Sequence, residues 1–119
     1  MNKFNNRVLI LGTYYNIVIT NENDNPAMVG ASGLTDNSIH TIFLDDCESF
    51  GEDSGLKDID GYMRNVLRHG IIHAFLYESG LAASSCEVQA WAINEEMVDW
   101  FARQSLKIFK AFEEAGCNE

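Results

Sequence analysis

The spacing of apolar residues along this chain changes near the middle from a pattern typical of strands to one typical of helices. Residues 7–19 are rich in Val, Ile, Leu and Tyr and are interrupted by Gly12, which predicts a bent strand or the first arm of a hairpin. A further extended segment is predicted at 30–35, and the alternation over 38–44 predicts a strand buried on at least one side. The first half should therefore contain about three strands.

The second half follows a helical period. An acidic, glycine-containing loop over 45–58 is followed by a predicted helix over 59–79, and Gly80 is well placed to end it. A last helix is predicted over 93–114. Together these elements predict one α+β domain spanning 1–119, in which a small three-stranded twisted sheet packs on two or three helices.

Each predicted helix carries one stripe of residues at i+3/i+4 spacing, and we expect each stripe to face the core. The first stripe contains both histidines of the second half of the chain: Tyr62, Val66, His69, His73 and Leu76. The second stripe begins with a carboxylate: Glu95, Val98, Ala102, Leu106 and Phe109. Four aromatic residues are expected to help close the core, with a place in the cleft wall as the alternative for Trp91: Trp91, Trp100, Phe101 and Phe109.

The histidine pair is the main candidate for chemistry. His69 and His73 lie one helical turn apart, so both imidazoles can reach one cation, as in the H-E-x-x-H helix of zinc proteases. Glu95 is the natural third ligand, which would leave a fourth zinc position for water. One alternative is that Glu95 and Glu96 only favour the helix dipole. Another is that the histidines and Glu95 form a hydrogen-bonded polar core without metal. Gly70 occupies the position where such proteases have their general base.

Composition narrows the possible partners and the compartment. The 119 residues carry 18 acidic against 8 basic side chains, a formal charge of −10, which argues against binding to nucleic acid or to an anionic membrane surface. No apolar run approaches the length of a membrane span or a signal-peptide core. The three cysteines form no C-x-x-C pair, which favours a reducing cytoplasm over a disulfide framework.

Four separate segments resemble one protein family. They resemble the small zinc metallopeptidases encoded by bacteriophages and prophages, which are similar to the ImmA/IrrE and SprT-type minimal gluzincins. The four segments are 8–15, 66–81, 94–100 and 112–117. The resemblance implies a minimal zincin-like fold and a cytoplasmic location, that of the host cell if the protein is phage-encoded. It also implies a peptide or a host protein as partner.

The resemblance places the family's two histidine ligands on His69 and His73 and its glutamate ligand on Glu95. The family's general base has no counterpart, because its position is occupied by Gly70. The resemblance therefore implies a Zn²⁺-binding metallopeptidase scaffold whose hydrolysis is impaired, and Gly70→Glu is expected to restore part of it. The alternative is a non-enzymatic phage protein that binds and inhibits a host defence or regulatory factor.

Overall fold

Four strands and two long helices make up most of the part of the chain that the computed structural model describes, which is residues 4–48, 58–84 and 95–118. The strands are β1 (Arg7–Ile10), β2 (Thr13–Thr20), β3 (Gly33–Asp36) and β4 (Thr41–Asp45), with a short 3-10 helix at Pro26–Met28. The helices are α1 (Ile59–Glu78), the single turn α2 (Leu81–Ser84) and α3 (Glu95–Ala115). The predicted α+β class is confirmed, but the sheet has four strands rather than three.

The additional strand arises from a tight hairpin within residues 7–19. Leu11 and Gly12 connect β1 to β2, and both have positive φ angles, 48° and 90°. Two successive positive φ angles twist the chain in the same sense as the flanking strands, which suits a two-residue hairpin. The segment predicted as one bent strand or the arm of a hairpin therefore contains both arms.

The sheet has the strand order β1-β2-β4-β3. β1 and β2 are antiparallel, β2 and β4 are parallel, and β3 returns antiparallel to β4 at the edge. One face is covered by the helices and carries the fully buried side chains of Ile10, Tyr15 and Ile42. Because side chains alternate between faces, the register places Gly33 and Thr35 of β3 on this covered face.

Helix α1 begins and ends close to the predicted residues. The Asp58 side chain accepts a hydrogen bond of 2.9 Å from Gly61 N, and Gly80 takes a positive φ of 83° just after the last turn. The buried residues of α1 are Leu67, Gly70, Ile71, Ala74 and Phe75.

The prediction that the histidine stripe faces the core is wrong, because both imidazoles are exposed. A second, fully apolar stripe on the same helix takes the core position, and the histidine stripe lies on its flank.

Helix α3 also has a different orientation from the predicted one. Its buried residues include Ile108, Ala111 and Ala115, whereas Leu106 and Phe109 of the predicted core stripe are exposed. Trp100 packs partly buried against the core, as expected, but Phe101 is exposed, and Trp91 lies outside the described residues. Small side chains on the buried face let α3 lie close to β1 and α1.

The C-terminal end of α3 covers the edge strand β1. Asn5 N donates to Ala115 O at 3.3 Å, and Leu9 N donates to a Glu114 carboxylate oxygen at 3.2 Å. Arg68 Nη1 of α1 donates to Cys117 O at 2.8 Å. One edge of the sheet is thus covered, while β3 forms the opposite edge. Within the described residues, no helix is both long and apolar enough to cross a membrane.

Candidate functional site

The histidine pair forms a preorganised couple on the exposed flank of α1. His69 and His73 direct their rings at each other, with Nε2 atoms 3.0 Å apart and ring centroids 4.7 Å apart. Two imidazole nitrogens bound to one tetrahedral zinc at about 2.0–2.1 Å would lie roughly 3.3 Å apart. The observed separation is within a few tenths of an ångström of that value, although chelation also requires both Nε2 atoms to be unprotonated and turned toward the same point. Between neutral rings, the same contact is also a good hydrogen bond.

Both histidines line a cavity of about 440 Å³ between α1 and the edge strand β3. Although much of the His73 ring is exposed, its partial burial in the cavity wall lowers its pKa below the ordinary value, and the charge of His69 lowers it further. This shift favours the neutral imidazole, which is the form that binds metal. The other described lining residues are polar, aromatic or apolar but include no carboxylate: Ser32, Gly33, Leu34, Thr35, Ile42, Tyr62, Asn65, Val66, Gly70 and Tyr77.

Gly70 lies where α1 makes its closest approach to the sheet. A Cβ atom added there would meet Ile42 Cγ2 at 2.7 Å and Thr35 Oγ1 at 3.2 Å. In addition, Thr35 Oγ1 donates a hydrogen bond of 3.0 Å to Gly70 O. The space that the side chain of a general base at position 70 would need is therefore occupied by Thr35 of β3 and Ile42 of β4.

This geometry changes the interpretation of Gly70 as the position of a missing base. Helix propensity alone disfavours glycine here by ~1 kcal/mol, but tertiary packing requires the absence of a side chain. A glutamate at position 70 would begin with the same clash. The expectation that Gly70→Glu restores hydrolysis therefore does not fit the structure, because the substitution would first have to push α1 away from the sheet.

Glu95 lies apart from the histidine pair. It is the exposed first residue of α3. Helix α3 runs antiparallel to α1, as two contacts show. Trp100 Nε1 donates to Ser79 Oγ at 3.2 Å near the start of α3, and Arg68 donates to Cys117 O just after its end. Trp100 is level with Ser79. His73 lies six residues before Ser79 on α1, and Glu95 lies five residues before Trp100 on α3, so the two side chains are separated by roughly 16 Å along the helix axes.

No group of three or more His, Cys, Asp or Glu side chains able to hold a metal occurs among residues 4–48, 58–84 and 95–118. The structure thus brings His69 and His73 together but does not bring Glu95 to them. Zinc binding itself stays a prediction.

The sequence predicts the extended segment that becomes β3 but does not indicate that this strand borders the histidine site. Asp45 N donates to Ser32 O at 2.9 Å, so alternate residues of β3 turn their backbone groups toward β4. The N–H and C=O groups of Gly33 and Thr35 consequently point away from β4, along the rim of the cavity. Among residues 4–48, 58–84 and 95–118, no strand pairs with this edge, and a strand edge left open in this way can accept an extended peptide.

The sequence itself contains a signal for the cavity wall. Asn65, His69, His73 and Tyr77 follow one another at intervals of four residues, so they form a continuous ladder along one side of α1. All four line the cavity. At its other end, the hydroxyl groups of Ser32 and Tyr62 are hydrogen-bonded to each other and connect β3 to α1.

The sequence matches no family model, no curated protein and no solved structure. Fold and site geometry are therefore the basis for an account of function.

Proposed function

We propose that this protein is a metallopeptidase-like domain that binds a zinc ion through His69 and His73 and holds an extended peptide against β3 without efficient hydrolysis. A reducing cytoplasm is the compartment that suits the free thiols of Cys47 and Cys117. The observation that carries the proposal is the convergence of the two Nε2 atoms, 3.0 Å apart, on the wall of a cavity bordered by a strand edge. Two protein ligands leave the remaining zinc positions for water or for a group of the bound peptide.

The absence of efficient hydrolysis follows from what a metal site needs in addition to the cation. Zinc polarises a carbonyl and acidifies its bound water, but a nearby group must still take the proton and deliver it to the leaving amine. The described residues that line the cavity supply phenols, amides and hydroxyl groups rather than a carboxylate. Loss of a positioned acid-base group typically costs about 10²–10⁴-fold in rate.

The metal part of the proposal is tested by titrating Co²⁺, a spectroscopic substitute for zinc, into the purified protein, followed by competition with Zn²⁺. A visible absorption band of four-coordinate Co²⁺ should appear with one equivalent and disappear on addition of zinc. His69→Ala and His73→Ala should each abolish it. His40→Ala is the matched control, because His40 is also exposed but does not line the cavity. A band that persists without His73, or that disappears without His40, contradicts the assignment.

The peptide part is tested with a library of unstructured peptides. Binding should protect the amides of Gly33 and Thr35 from hydrogen exchange, since those groups would pair with the added strand. Thr35→Pro removes one of these donors and should weaken binding, whereas Thr35→Val, which removes only the hydroxyl that donates to Gly70 O, should not. Rapid cleavage of the library by the unmodified protein, stopped by a chelator, would contradict the non-hydrolytic proposal.

A second candidate function is metal-free binding of a host protein through the same cavity. The observation that favours it is that the contact between the histidine nitrogens satisfies them without a cation, as a hydrogen bond between neutral rings. Failure of Co²⁺ and Zn²⁺ to bind, combined with retained peptide protection at β3, would select this function over the first.

A further inference from the structure

A second cavity lies at the covered edge of the sheet. It has a volume of about 520 Å³ and is bordered by the hairpin of β1 and β2 on one side and by α3 on the other. Strands β1 and β3 are opposite edges of the sheet, and the two cavities have no described lining residue in common. The proposed binding of metal and peptide therefore does not involve this cavity.

The floor and one wall of this cavity are apolar. Phe75 of α1 and Ala111 of α3 line it although they are only 1% and 3% exposed, so they form its floor. Leu9 and Leu11 of the hairpin add apolar surface, and Leu9 is 41% exposed. Because covering exposed apolar surface is favourable in proportion to its area, this part of the cavity suits a hydrocarbon chain.

Two cations lie at the rim of the same cavity. Lys107 and Lys110 of α3 both line it, and both are exposed. They are three residues apart, or about 4.5 Å along the helix axis, so their ammonium groups can reach one anion together. The positive charge is local, since the whole chain has 18 acidic against 8 basic side chains.

These two lysines differ from the other cations of residues 4–48, 58–84 and 95–118. Each of the others makes a polar or ring contact: Arg7, Arg64, Arg68 and Arg103. Neither Lys107 nor Lys110 makes an ion pair, a hydrogen bond or a ring contact with any residue of these ranges. In a strongly acidic chain, the two cations without a partner among the described residues thus lie side by side at one apolar cavity.

Glu114 is the carboxylate among the described residues that line this cavity, and it lies at the opposite end from Lys107. One of its oxygens accepts the hydrogen bond from Leu9 N, which holds the carboxylate at the β1 edge. Along α3, Glu114 is seven residues or roughly 10 Å from Lys107. An anion between the two lysines is therefore closer to both cations than to Glu114.

We propose that this cavity binds a free single-chain carboxylate, the chemistry of a fatty acid of medium length. Its carboxylate lies between Lys107 and Lys110, and its hydrocarbon chain covers Phe75 and Leu9. A free molecule fits better than an anionic membrane surface, because a chain with a charge of −10 is repelled as a whole by such a surface. A single small anion meets only the local charge of the two lysines.

The proposal is tested by isothermal titration calorimetry with compounds kept below the concentrations at which they form micelles. In the series hexanoate, octanoate and decanoate, each added CH₂ should lower Kd about fourfold, the ratio that transfer of a CH₂ group from water gives. Octanoate should bind more tightly than octyltrimethylammonium, which has the same chain length and the opposite charge.

Substitutions separate the charged end from the apolar floor and wall. Lys107→Met and Lys110→Met should each weaken octanoate about two- to fivefold, as expected for exposed ion pairs, and leave 1-octanol unaffected. Arg103→Met is the matched control, since it removes the same charge from the same helix at a residue that does not line the cavity. Leu9→Gln should weaken both octanoate and 1-octanol, with unchanged circular dichroism because the side chain is 41% exposed.

Four results would overturn the proposal. They are equal affinity for octanoate and octyltrimethylammonium, a Kd that does not change with chain length, an equal loss in Arg103→Met and Lys107→Met, and binding to phosphatidylglycerol vesicles without binding to free octanoate. The last result would assign the two lysines to a membrane surface. Co²⁺ binding should be the same in all these variants, so failure of this proposal leaves the histidine site untouched.

Discussion

Gly70→Ala tests the close packing of α1 against the sheet most directly, because it adds a single Cβ atom at the point of contact. In an exposed helix this change stabilises by ~1 kcal/mol, because alanine loses less backbone entropy. Here the new Cβ would lie 2.7 Å from Ile42 Cγ2 and 3.2 Å from Thr35 Oγ1. The Ile42 methyl is attached directly to a β-branched carbon in a fully buried strand position, so it cannot swing aside. Either α1 must move outward or Ile42 must leave its rotamer.

Overpacking of this kind costs about 1–3 kcal/mol. Outward movement of α1 also stretches the hydrogen bond from Thr35 Oγ1 to Gly70 O, worth about 1 kcal/mol. Both costs oppose the ~1 kcal/mol gain in helix propensity. We therefore expect Gly70→Ala to lower the free energy of unfolding by about 1–3 kcal/mol. Urea denaturation followed by circular dichroism measures this change, and the slope of the transition should stay constant.

A double-mutant cycle isolates the contact. Ile42→Ala removes the methyl group that the new Cβ would meet, so in that background Gly70→Ala should become neutral or stabilising by up to ~1 kcal/mol. A stabilising effect of Gly70→Ala in the unmodified protein would refute the close-packing explanation, and an equal cost in both backgrounds would assign the cost to something other than Ile42.

Two further predictions concern buried polar groups. Tyr15→Phe deletes the 2.8 Å hydrogen bond from Tyr15 Oη to Glu78 and should lower the free energy of unfolding, measured by urea denaturation, by about 1.5–3 kcal/mol. Tyr14→Phe on the exposed face is the control and should change it by less than about 0.5 kcal/mol. Equal effects of the two substitutions would contradict the assignment. Burial raises the pKa of Cys47 and of Cys117 to about 11, above the value of ~8.5 for an unfolded thiol. Since only the unfolded chain readily loses these protons, stability should be fully present below about pH 8.5 and decline as pH rises toward 11. A flat unfolding free energy over this range would show that the thiols titrate normally in the folded protein.

Local signals predicted the helices well. The N-terminal cap Asp58 and the terminating Gly80 determine the ends of α1 through contacts within a few residues, so they can be recognised in the sequence. The turn at Leu11 could not be recognised in the same way, because leucine is rarely found at positive φ. The parallel pairing of β2 with β4 is likewise non-local, and nothing in either strand specifies its neighbour.

The predicted orientation of each helix is wrong, and the physical cause differs between the two. Helix α1 carries two stripes that could be buried. The stripe containing Ile71 and Phe75 is the buried one, because its burial desolvates no imidazole. In α3 the buried face combines Ile108 with the small Ala111 and Ala115, while Leu106 and Phe109 lie outward. Sequence periodicity measures hydrophobicity, but close helix packing selects for size as well. The histidine pair was predicted correctly as a pair, since its geometry is local to one turn.

The covering of β1 by the end of α3 has a consequence for synthesis of the protein. Leu9 and Glu114, which form one of the contacts, are separated by 105 residues. At about 5–20 residues per second, the ribosome releases the covering helix roughly 5–20 s after the strand. During that interval the β1 edge is open to pairing with other nascent chains. The strand is only four residues long and begins with Arg7, two features that discourage such pairing.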